Sequence, residues 1–115
     1  MGAGGSAGKG DSLSSFKDKV EDDAKFGRAA DALDEGNALR NRGDARGALV
    51  KYEEFLAIGR SIADPGKRQE IEGAAVGSLG NVYNRLGQYD KARASHEAGL
   101  AIAREIGDRR GEGAH

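Results

Sequence analysis

Gly8-Lys9-Gly10 is the first group in the chain whose residue types suggest chemistry, since a glycine-rich loop with a lysine can cradle phosphate. The full motif needs Gly at residue 3, Ser or Thr at residue 10 and a preceding strand. Ala3 and Gly10 stand at those places, so nucleotide binding is not expected. His96 has Ala92, Arg93, Gly99 and Leu100 as its helical neighbours. No second ligand or acid shares its face, and it reads as a packing residue at a core or edge position, as does Tyr52. His115 is terminal and has no partner that can be named. The carboxylates of Glu21-Asp22-Asp23 and Glu53-Glu54 are adjacent in sequence, and adjacent residues on a helix do not share a face, so both groups read as solvated. Arg104, Arg109 and Arg110 are interrupted by Glu105, Asp108 and Glu112, which argues against a nucleic-acid stripe. No catalytic residue, metal site or cofactor is expected, and the chain does not read as an enzyme.

Composition narrows the class further. A chain of 115 residues holds one small domain, and with 37% hydrophobic and 5% aromatic residues its core must come from Ala, Leu, Ile and Val. Eighteen basic and 19 acidic residues leave a net charge of −1, with no long-range attraction for nucleic acid or acidic membranes. There is no cysteine, hence no disulfide framework. No apolar run approaches the ~20 residues that span a bilayer, and no signal-peptide core is visible, so a cytoplasmic location is expected. Met1-Gly2-Ala3-Gly4-Gly5-Ser6 fits the N-myristoylation pattern at Gly2. A Gly/Ser-rich arm matches that pattern by composition alone, which is the preferred reading, and membrane contact is expected only if Gly2 is acylated.

The elements follow from periodicity. Residues 1–10 carry Gly2, Gly4, Gly5, Gly8 and Gly10 and read as a disordered arm. Leu13, Phe16, Val20 and Ala24 then fall at helical spacing, predicting a capping helix over 11–28. A helix from Ala29 ends at Gly43-Asp44, and a second carries Ala48, Leu49, Tyr52, Phe55, Leu56, Ile58 and Ile62 until Asp64-Pro65-Gly66, which reads as a turn. Two more helices are predicted, from about Arg68 to Leu86 and from about Asp90 to Ile106, with a turn at Gly87-Gln88 between them. No stretch reads as a strand.

The second pair of helices repeats the first. Gly80, Asn81, Gly87, Ala92, Glu97, Leu100, Ala101, Ile102, Arg104, Ile106 and Asp108 stand 44 positions after Gly36, Asn37, Gly43, Ala48, Glu53, Leu56, Ala57, Ile58, Arg60, Ile62 and Asp64. Glu72-Gly73-Ala74 returns as Glu112-Gly113-Ala114 after only 40, so the first copy is four residues longer near Asp64-Pro65-Gly66. A period of this length built from paired helices marks a helical solenoid.

On these residues the chain resembles the tetratricopeptide repeat. The family's pattern falls on Leu79, Gly80, Tyr83, Gly87, Tyr89, Ala92 and Leu100, and in the first copy on Gly36, Leu39, Gly43 and Ala48. Glu35 and Ala45 depart from it, and Arg104 stands where the terminal Pro is usual, as in the longer variant of roughly 40 residues. Ser78-Leu79-Gly80-Asn81-Val82-Tyr83, Leu86-Gly87-Gln88-Tyr89 and Leu100-Ala101-Ile102-Ala103 are similar to the repeats of spindle-orienting G-protein-signalling modulators and of microbial tetratricopeptide arrays.

The resemblance implies an all-α antiparallel helix-hairpin solenoid, with repeats at 29–72 and 73–112 and the start of a truncated third at 113–115. It implies that Gly36 sits against Ala48 and Gly80 against Ala92. It also implies that the first helix of each repeat lines a concave face, through Ala30, Leu33, Asn37 and Arg40 in one copy and Ala74, Gly77, Asn81 and Asn84 in the other. Asn37 and Asn81 would then hold the backbone of a peptide, with Arg40 and Arg85 adding a carboxylate contact. The expected function is a non-enzymatic scaffold for a protein or peptide partner. The alternative is a regulatory or targeting segment of a larger enzyme or of an N-myristoylated membrane complex. The end face at Leu100, Ala103 and Ile106, having no following repeat, is expected to favour weak self-association.

Overall fold

The computed structural model describes the backbone of residues 2–110 and the side chains of residues 12–110. Four helices make up this part: α1 Gly2–Asn41, α2 Ala45–Arg60, α3 Pro65–Arg85 and α4 Tyr89–Arg109. No strand occurs among the described residues, and each helix packs on the next. The all-helical expectation is met. The expected third-repeat start at 113–115 lies outside the described residues.

Two boundaries differ from the sequence reading. The arm, the capping helix and the first repeat helix are one continuous helix of 40 residues, because nothing between residues 2 and 41 breaks it: the stretch has no Pro, and Gly27 keeps a negative φ. At 1.5 Å per residue such a helix is about 60 Å long, which accounts for the longest dimension of the molecule, 62 Å. Asp64-Pro65-Gly66 is not a free turn but the start of α3. Asp64 is its N-cap, accepting from the Lys67 N–H at 2.9 Å, and Pro65 takes a first-turn place where its missing N–H costs nothing.

The turns after α1 and α3 are built alike. Gly43 and Gly87 have φ of 86° and 76°, a left-handed conformation that Gly adopts without steric penalty. The Asp44 N–H donates to the Leu39 carbonyl and the Gly43 N–H to that of Arg40, both at 2.9 Å. The Gln88 and Gly87 N–H groups repeat this on Tyr83 and Asn84, at 2.8 and 3.1 Å. Each pair closes a Schellman motif. The helix starts after the two turns are not alike. Asp44 also caps α2 through Gly47, at 2.8 Å, whereas Gln88 makes no side-chain cap bond to α4.

Antiparallel pairing within the hairpins follows from the side chains that lie over the glycines. A Cβ at Gly36 would stand 2.6 Å from Tyr52 Cε1, and one at Gly80 would stand 2.6 Å from His96 Cε1. The side chains nearest the two glycines are thus large residues one turn beyond the expected Ala48 and Ala92, and both alanines are buried. The core lies among α1, α2 and α3. Ala29, Ala32, Phe55, Ile62, Ile71 and Ala75 form one part of it, and Ala48, Tyr52, Leu79 and Val82 the other. Leu33 and Leu56 touch both parts. Of α4 only Ala92 is buried.

Candidate functional site

Both α1 and α3 run antiparallel to α2, so they lie side by side in the same direction, and their C-terminal ends meet where Arg85 Nη1 donates to the Arg40 carbonyl at 3.5 Å. The candidate face is the strip these two helices share. Steps of four and three along α1 carry Phe26, Ala30, Leu33, Asn37 and Arg40, and α3 adds Ala74, Gly77, Asn81 and Asn84.

The strip has two ends of different chemistry. Towards the N-terminal side, Phe26, Ala30, Leu33, Phe55 and Ile71 line an apolar pocket, with Phe26 exposed and Leu33 half-buried at its mouth. Small residues come next: Ala74 is exposed, and a Cβ at Gly77 would meet nothing within 4 Å. Asn81 and Arg85 are exposed at the other end, with Asn84 between them. The Asn81 and Asn84 amides make no hydrogen bond within the described residues, so their donors and acceptors are free. Arg40 is half-buried and reaches Asn41 Oδ1 at 3.5 Å.

Asn37 and Asn81 do not form the ladder expected of them. Asn37 is half-buried, and its Oδ1 accepts from the hydroxyl of Tyr52 at 2.6 Å. Tyr52 is 0% exposed. Its buried hydroxyl needs a partner, and Asn37 is the group that supplies it. In the second hairpin His96 replaces Tyr52, is exposed, and leaves Asn81 unengaged. The pattern of residue types is repeated while the contact is not. Phe26 is absent from the face expected on sequence, although it lies four residues before Ala30 on the same stripe.

A second polar cluster is equally unexpected. Asp22 is 4% exposed, so the acid run at residues 21–23 is not wholly solvated. Its Oδ1 accepts from the Ala63 N–H at 2.8 Å and its Oδ2 from the Asp64 N–H at 2.9 Å. Lys25 Nζ donates to the Ser61 carbonyl at 2.8 Å, and Arg68 Nη1 to that of Ile62 at 2.9 Å. The bond from Ala63 is the largest cause holding the Asp22 carboxyl below its ordinary 3.8. Burial opposes it, and the Asp64 N–H, Lys25 and Lys67 add to it. This cluster pins α1 to the α2–α3 connection and is structural. On the other side of α2, Lys51 bonds to Glu35 at 3.2 Å and Glu54 at 3.4 Å, and the bond to Glu35 is the largest cause holding its pKa above 10.5.

His96 lies over Gly80 at the edge of the second hairpin, in keeping with a packing role. Among the described residues, no group of three or more His, Asp or Glu side chains is placed to hold a metal ion, and no helix is long and apolar enough to cross a membrane. Gly2 begins α1. Compared with protein-family models, curated proteins and solved structures, the chain matches none.

Proposed function

We propose that this chain is a two-repeat helical module of the tetratricopeptide kind, and that the strip shared by α1 and α3 binds an extended or helical segment of a protein partner, with no chemistry of its own. The observation that carries this reading is the recurrence of one hairpin at a 44-residue offset, down to the paired hydrogen bonds at Gly43 and Gly87. Such recurrence is the hallmark of a stacked helical repeat. The open strip supports the binding role: an apolar pocket at Phe26 and Leu33 suits one hydrophobic anchor, the free amides of Asn81 and Asn84 suit a peptide backbone, and Arg85 suits an acidic side chain or carboxylate.

Selection from a random peptide library, followed by fluorescence anisotropy, tests it. Peptides with an apolar anchor and an acidic residue should be enriched, and Asn81→Ala with Arg85→Glu should weaken their binding by about tenfold or more while leaving helicity intact. Asn37→Ala is the control. It strands the Tyr52 hydroxyl and should cost about 1–3 kcal/mol of stability. Selected peptides that bind the Asn81 and Arg85 variant as tightly as the parent would remove the strip from consideration.

A further inference from the structure

Among the described residues, the outer face of α4 is a helix seam without a helix against it. Tyr89, Arg93, His96, Leu100, Ala103 and Gly107 succeed one another at alternating steps of four and three residues, the spacing of a helix-pairing stripe. Tyr89 is 67% exposed and Leu100 53%, and Arg93, His96 and Ala103 are exposed with them. The same positions 44 residues earlier are Ala45, Leu49, Tyr52, Leu56 and Gly59 on α2, with Ala63 just beyond its end. There the seam is covered by α3: Ala45, Leu49 and Leu56 pack with the cluster of Leu79 and Val82, and Ile71 lies against Gly59. The architecture of the chain thus treats this face of a second hairpin helix as one to be buried under another helix.

The charges of α4 say which helix. Arg93 within the seam and Glu97, Arg104 and Asp108 beside it succeed one another at steps of four, seven and four. All four are free of ion pairs and side-chain hydrogen bonds within the described residues. The order of signs is plus, minus, plus, minus. Laid antiparallel on a copy of itself about a twofold axis near Leu100, α4 brings Arg93 opposite Asp108 and Glu97 opposite Arg104, and every such pair forms twice. A parallel pairing sets like charges together. The first hairpin holds a precedent for such a contact: Arg60, at the place of Arg104, meets Glu72 of the covering helix at 3.7 Å. Two seam positions that are Leu49 and Tyr52 on α2 are Arg93 and His96 on α4, so the second seam suits an oppositely charged helix better than a purely apolar one.

We propose that two copies of this chain associate through α4, antiparallel and twofold symmetric, with Leu100 at the centre and the Glu97–Arg104 and Arg93–Asp108 pairs on either side. This pairing uses no residue of the α1 and α3 strip, and so rests on no ligand bound there.

Sedimentation equilibrium of the full chain tests it through charge reversal. The parent chain should shift from monomer to dimer with rising concentration, and less so at high salt, where such pairs are screened. Glu97→Lys alone and Arg104→Glu alone each set like charges together twice per dimer and should raise the dissociation constant about tenfold or more. An equimolar mixture of the two variants restores complementary charge and should yield a heterodimer tighter than either variant alone. The double variant should recover self-association as well. Circular dichroism should stay unchanged throughout, since neither residue has a partner among the described residues. A parent chain that remains monomeric at millimolar concentration would overturn the proposal and leave the seam to a further helical repeat. Reversals that do not weaken association, or a mixture no tighter than its components, would overturn it equally by moving the contact to another face.

Discussion

Tyr52 and His96 occupy the same place in the two hairpins, yet one is sealed and the other open. Tyr52 lies under α1 on one side and α3 on the other, with its hydroxyl bonded to Asn37. His96 covers Gly80 but has solvent beyond it. The backbone plan is shared, down to the left-handed glycines. The difference lies in neighbours, because among the described residues α2 packs between α1 and α3, whereas α4 packs on α3. Where one helix hairpin packs on another element, the energetic weight of a residue is set by what covers its hairpin as much as by its own type.

The largest test of this contrast removes the two side chains. Tyr52→Ala should cost about 3–5 kcal/mol, the usual loss for a large aromatic in a packed core, and His96→Ala under about 1 kcal/mol. Urea denaturation of both would measure the gap, and equal losses would show the second hairpin to be as tightly covered as the first.

Next come the glycines beneath them. Gly36→Ala drives a methyl into a buried ring held by its own hydrogen bond, so an overpacking cost of about 1–3 kcal/mol outweighs the roughly 1 kcal/mol gained in helix propensity. At Gly80 the exposed His96 ring swings aside. Gly80→Ala should therefore be neutral or stabilising by up to about 1 kcal/mol. Thermal melts that move in the same direction for both would break the comparison.

The turns offer a smaller test. Asp44 and Gln88 share a backbone conformation, with φ and ψ of −88° and 80° against −92° and 70°, but only Asp44 caps the next helix. Gln88→Asp should place a carboxylate on the Lys91 N–H and stabilise the chain by about 0.5–2 kcal/mol. A variant no more stable than the parent would show that the second turn cannot accept the geometry of the first.

The finest test is a pH dependence confined to the first hairpin. Asp22 is held below its ordinary 3.8 in the folded chain, so its stabilising effect is present above that value and is lost as pH falls through the lower folded one. Asp22→Asn should flatten the stability profile below about pH 4. An acid limb with the same slope in both proteins would locate the acid sensitivity elsewhere.

Much of the architecture is legible in the sequence, for reasons that remain local. Gly43 and Gly87 end helices because few other residues tolerate their φ, and apolar spacing marks the helix faces. The features that escape depend on partners distant in sequence. Asp22 looks like Glu21 and Asp23 until the α2–α3 connection brings two N–H groups to it. Asn37 looks like Asn81 until Tyr52 is placed above it. A separate capping helix is suggested by the repeat boundary at residue 29, yet a repeat boundary does not interrupt a helix in the absence of a residue that breaks the hydrogen-bond ladder. Pro65 reads as a turn residue because Pro starts helices as readily as it bends loops, and the capping bond from Asp64 decides between them.

The pinning of α1 at Asp22 divides that helix in terms of exchange with solvent. Between residues 12 and 21 every side chain is exposed, Leu13, Phe16 and Val20 among them, so opening those turns sacrifices no core contact. Beyond Asp22, opening the helix means releasing Ala29, Ala32 and Gly36 from the core. Amide protons of one uninterrupted helix should therefore fall into two classes, with rapid deuterium uptake before Asp22 and protection approaching that of global unfolding after Ala29.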